Sequence, residues 1–234
     1  MSKFAALTLL MLMFAGCSVY GPPGTESSDD GSSLGVDYVR PEVRTPGMYE
    51  NAPAEYFPLL DILYEYAYIF SGDNIPENIN YEYYMNAVGF IETAYQPEKL
   101  SYAVVDINSD GVLEIVFGNS YLYTIWTLSD GKPEWLISFY SRGKGEIAAD
   151  GTVYIVCGSG TAGTTIASYI LLPNATELTK LTEYEHGNPG QNTEYFIERI
   201  DGKERDITKK EYYRLNEIYN NPTNLIELKW SKIL

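Results

Sequence analysis

Apolar residues recur along this chain with two different periods, and the change falls near residue 100. Before it, Leu59, Leu63, Tyr66 and Phe70 are spaced by 4, 3 and 4 positions. That spacing lines one face of a helix. Pro58 suits its first turn, and Ser71-Gly72 can end it. Tyr84, Val88, Ile91 and Tyr95 repeat the pattern until Pro97 stops it. Both stripes predict N-terminal helices packed on a core.

From residue 101 the period becomes two, and the residues become β-branched and aromatic. Strands are predicted near 101–106, 113–118, 121–128, 134–140, 152–158, 165–172, 178–184 and 194–200. Asp-Gly pairs at 110–111, 130–131, 150–151 and 201–202 mark turns, because both residue types tolerate positive φ. The expectation is one antiparallel meander of about eight strands, curled because flat sheets of that size are unusual. A sandwich or a small propeller-like arrangement is the alternative. A third helix starts after Thr208, which stands at capping-box distance from Glu211. Tyr212, Leu215, Ile218 and Tyr219 share its predicted buried face. Leu225, Ile226, Leu228 and Trp230 are too apolar for a loose tail and predict a docked edge strand. The fold class is therefore α+β: a meander with two N-terminal helices and one C-terminal helix.

The first residues follow neither period. Lys3 precedes an apolar run from Phe4 to Met13, then Phe14-Ala15-Gly16-Cys17. The run is too short to span a bilayer but suits the centre of a signal peptide. Its end resembles the lipobox of bacterial lipoproteins. The resemblance implies cleavage before Cys17, a diacylglyceryl group on Cys17, and attachment to the extracytoplasmic face of the bacterial cell membrane. The alternative is a plain secretory signal with an incidental cysteine. Residues 18–52 follow as a tether, whose Gly21-to-Ser33 stretch has nothing apolar to bury. The expected organisation is a signal peptide (1–16), a lipidated cysteine with flexible tether (17–52) and a single globular domain (53–234). With Cys17 lipidated, Cys157 is the one remaining cysteine, so no intramolecular disulfide is expected and Cys157 reads as a shielded thiol.

Charge narrows the partners. The net charge is −16, and losing Lys3 with the leader makes it −17. Such a chain repels nucleic acid and anionic lipid alike, so nucleic acid is excluded and membrane attachment rests on lipid at Cys17.

Candidate chemistry concentrates in Asp106-Ile107-Asn108-Ser109-Asp110-Gly111-Val112-Leu113-Glu114. Oxygen-bearing side chains stand at positions 1, 3, 5 and 9, glycine at 6, and the Val112 carbonyl supplies position 7. Hard oxygen ligands with net negative charge suit calcium. Phe117 occupies position 12, where an EF-hand needs its glutamate, and the flanks are strand-like. The motif resembles instead the calcium loops between strands of FG-GAP-type repeats. A hairpin turn without metal is the alternative. The wider segment 102–116, with Leu128-Ser129-Asp130-Gly131-Lys132-Pro133 and the Gly158–Gly163 run, resembles uncharacterised lipoproteins of low-GC Gram-positive bacteria. That resemblance implies a location and a fold, and no activity.

Other constellations carry less. Gly158 to Gly163 lacks the Lys-Ser or Lys-Thr of a phosphate loop and reads as a hairpin or bulge. Cys157 and His186, the single histidine, could pair as nucleophile and base, but Cys157 alternates with Val153 and Ile155 on one strand face. No catalytic residue is assigned. The leading function is a non-enzymatic, lipid-anchored protein with one structural calcium. The 22 tyrosines and three tryptophans suggest a glycan-binding module as the second reading. A carboxylate-pair hydrolase is the third.

Overall fold

The computed structural model describes residue 49, residues 51–71, 99–119, 122–139, 143–158, 163–188 and 194–233. Cys17, the tether up to residue 48 and the predicted helix over 84–95 lie outside these. Among the described residues, eleven strands form two antiparallel sheets. The first holds β1 (Ser101–Val105), β2 (Glu114–Gly118), β3 (Leu122–Ser129), β4 (Lys132–Ser138) and β11 (Ser231–Lys232), in the order β11-β1-β2-β3-β4. The second holds β5 (Gly143–Ile147), β6 (Thr152–Gly158), β7 (Gly163–Leu171), β8 (Leu178–Gly187), β9 (Tyr195–Ile200) and β10 (Lys203–Asp206), in the order β10-β9-β8-β7-β6-β5. The α+β class stands. The single curled meander is corrected to two meanders, one per sheet, broken between β4 and β5.

The break follows from burial. Each strand has two faces, and a sheet apolar on both must be covered on both. Val116, Ile125 and Ile137 of the first sheet share one cluster with Val153, Ile155, Ala167 and Tyr169 of the second. This is the interior between the sheets. The outer face of the first sheet, with Tyr102, Ile115, Phe117 and Trp126, packs on helix α1 (Phe57–Ser71) through Leu59, Leu60, Leu63 and Ala67. The outer face of the second, with Ile166, Tyr184 and Phe196, packs on helix α2 (Lys209–Asn220) through Tyr212 and Tyr219. The described layers therefore run helix, sheet, sheet, helix.

Local chemistry sets the element ends. Pro58 sits in the first turn of α1, where its missing N–H is not needed. The Thr208 hydroxyl accepts the Glu211 N–H at 3.1 Å and caps α2. Ile218, assigned from its spacing to the buried face of α2, is instead 47% exposed, while Tyr212 and Tyr219 are buried. Asp130-Gly131 and Asp201-Gly202 are two-residue hairpin turns with both residues at positive φ. Asp110-Gly111 is not such a turn, since Val105 pairs with Glu114 and residues 106–113 form a long loop. Strands β5 and β10 were invisible to periodicity: β5 reads Gly-Lys-Gly-Glu-Ile, and all four residues of β10 are exposed and charged.

The C-terminal segment straps the sheets together. Leu225 bridges to Ala148 beside the second sheet, and the Ile226 N–H donates to the Ile147 carbonyl at 2.9 Å. Ile226, Leu228 and Trp230 then pack against the inter-sheet cluster. β11 completes the crossing by pairing with β1 at the edge of the first sheet. Packing starts earlier than residue 53: Tyr49 is 3% exposed and donates its hydroxyl to the Leu60 carbonyl at 3.2 Å.

Leu60 is fully buried between α1 and the first sheet. Leu60→Ala removes that packing and leaves a cavity, which lowers unfolding free energy by about 2–5 kcal/mol. Urea unfolding of the purified domain measures it; a loss below about 1 kcal/mol would mean that α1 does not pack as described.

Candidate metal centre

The loop between β1 and β2 is built by side chains that fold back onto its own backbone. Ser109 and Gly111 take positive φ, 60° and 87°, and so turn successive N–H groups inward. The Asp106 carboxylate accepts the Asp110 N–H at 3.2 Å on one oxygen and the Gly111 N–H at 3.0 Å on the other. Asn108 Oδ1 accepts the Asp110 N–H at 3.2 Å, and Asp110 Oδ1 accepts the Val112 N–H at 2.8 Å. Asp106, Asn108 and Asp110 thus all bond within the same turn, and the Asn108 amide also donates to Asp110 Oδ2 at 2.9 Å. The Val112 carbonyl belongs to the same half-buried stretch of loop.

Glu114 is placed differently. It is fully buried, with one carboxylate oxygen accepting the Ile107 N–H at 2.9 Å and the other the Thr127 hydroxyl at 2.9 Å. Burial raises its pKa above the ordinary 4.5, and the charges of Asp110 and Asp106 raise it further. The Ile107 and Thr127 hydrogen bonds pull the other way without cancelling this. Asp110 shifts in the opposite sense. Desolvation raises its pKa, but hydrogen bonds from the Asn174 and Val112 N–H groups and the Asn108 amide together outweigh it and hold it below the ordinary 3.8. Among the described residues, no three His, Cys, Asp or Glu side chains form a ready metal-binding group.

The loop also reaches across to the second sheet. The Asn174 N–H, in the turn after β7, donates to Asp110 Oδ2 at 2.7 Å, and the Asn108 amide donates to the Leu172 carbonyl at 3.1 Å. In the turn between β5 and β6, Gly151 lies against the loop, where an added Cβ would stand 3.0 Å from the Ile107 carbonyl oxygen. Sequence reasoning missed this docking. Its signals were present as turn residues, Asp150-Gly151 and Pro173-Asn174, but nothing in one sequence pairs distant turns.

The remaining candidates separate. Cys157 lies on the inner face of β6, 6% exposed, while His186 lies on the outer face of β8, stacked 4.7 Å from the Phe196 ring. The sheet stands between them, so they form no dyad. Cys157 is disulfide-bonded, which corrects the shielded-thiol expectation; the sequence has one other cysteine, Cys17. Gly158 ends β6 and Gly163 begins β7, which is a strand and not the helix a phosphate loop needs. A carboxylate pair does occur. Glu183 and Glu185 both accept from Arg199 Nη1, at 2.8 and 2.6 Å. Glu183, despite desolvation, is held below its ordinary pKa by Lys180 and Arg199, so it does not store a proton for acid catalysis. Among the described tyrosines, Tyr68 on α1 and Tyr213 on α2 are exposed while Tyr212 is buried, and the two helices cover opposite faces of the sandwich. Tyr81, Tyr83, Tyr84 and Tyr121 lie outside the described residues.

No protein-family model, curated protein or solved structure matches the chain.

Glu114 gives the site a pH signature. Its folded pKa is raised, so its ionised form weakens the fold above that pKa, and the penalty fades as pH falls toward 4.5. Glu114→Gln keeps the shape and removes the charge. In chelator at neutral pH the variant unfolds at higher urea than wild type, and its advantage shrinks as pH approaches 4.5. A variant that is less stable at neutral pH in chelator contradicts this assignment. Asp110 contributes oppositely, since its folded pKa is depressed: its stabilisation is present above 3.8 and is lost as pH falls below that.

Gly151 tests the docking of the loop. Gly151→Ala and Gly131→Ala both place an alanine at positive φ, 84° and 73°, but an added Cβ at Gly131 meets nothing within 4 Å. Gly151→Ala therefore loses more stability than Gly131→Ala, each by about 1 kcal/mol or more. Equal losses in urea unfolding would mean that the turn does not press on the loop.

Proposed function

We propose that this chain is a lipid-anchored extracytoplasmic protein, non-enzymatic, whose domain carries one structural calcium ion in the β1–β2 loop. The observation that carries the calcium reading is the position of the loop. Its oxygen donors stand where the first sheet meets two turns of the second. Asp106, Asn108, Asp110 and the Val112 carbonyl would hold the ion, with Glu114 closing the site from the start of β2. Oxygen donors with a high negative charge count suit calcium. The ion would offset the repulsion among Asp106, Asp110 and Glu114 and stiffen the joint. The loop's half-buried setting, its ties to protein on several sides and a fully buried Glu114 favour a structural over a catalytic role.

The anchor reading rests on Phe14-Ala15-Gly16-Cys17. It competes with the disulfide at Cys157, because a sulfur held in a thioether to lipid cannot also form a disulfide. The lipid would supply the membrane attachment that a chain of net charge −16 does not gain from electrostatics. Contacts with a cell-surface glycan or protein are compatible with this placement.

Each half has its own test. Calorimetric titration of the soluble domain gives one calcium site with Kd of about 0.1–1 mM, the range of extracellular modules. Asp106→Ala and Asp110→Ala remove the binding heat, and unchanged binding in both variants would place calcium elsewhere. Expression in a bacterial host that processes lipoproteins yields a membrane fraction whose mass carries a diacylglyceryl group at Cys17. Cys17→Ala moves the protein to the soluble fraction or blocks its processing. A variant that stays membrane-bound with wild-type detergent partitioning contradicts the anchor.

A further inference from the structure

We draw no further inference here: the strongest candidate, the surface patch of exposed Leu113, Leu172 and Leu225 on the loops around the β1–β2 turn, carries nothing because nothing in the structure shows what covers it.

Discussion

A carboxylate taken wholly out of water must be met by donors, and Glu114 is such a carboxylate. Its two partners, the Ile107 N–H and the Thr127 hydroxyl, come from the β1–β2 loop and from β3. Satisfying it therefore fixes how the loop leaves β1, enters β2 and sits beside β3. The placed loop then presents Asp110 to the Asn174 N–H and the Ile107 carbonyl to Gly151. One buried carboxyl group in the first sheet thus sets the contact with two turns of the second.

The same joint explains why an oxygen-rich loop lies between two apolar sheets. The interior cluster supplies most of the adhesion but no direction, since apolar burial is non-directional. The hydrogen bond that Asp110 accepts from the Asn174 N–H and the one that the Asn108 amide donates to the Leu172 carbonyl add the register that burial lacks. The strap from Leu225 to Lys232 leaves the β5–β6 turn that meets this loop and ties the edge of the second sheet to the start of β1. The sandwich is therefore fastened by a polar loop and by a C-terminal strand.

Much of the fold was legible in the sequence. The eight predicted strands correspond to β1–β4 and β6–β9, because their β-branched and aromatic runs are bounded by turn residues. Thr208 and Pro58 announced the helix starts through chemistry local to each position. What stayed hidden was non-local. β5 and β10 lack alternation, since one is glycine-rich and the other wholly exposed. The division into two sheets depends on which faces meet, and period-two patterns read alike in one curled sheet or two stacked ones. The loop residues were legible, but not the full burial of Glu114, whose two oxygens are taken by the Ile107 N–H and the Thr127 hydroxyl. Its depth follows from its place at the first position of β2, a strand buried along its whole length.

If the loop is a calcium joint between the sheets, the ion stabilises the whole domain and not the loop alone. A ligand that binds the folded state alone adds RT ln(1 + [L]/Kd), about 2.7 kcal/mol at a hundredfold excess over Kd. The most direct measurement is the melting temperature of the soluble domain in excess calcium and in chelator. The account predicts one cooperative transition that moves up by several degrees with calcium. Identical melting in both conditions would contradict it and leave the loop as a turn held by its own hydrogen bonds.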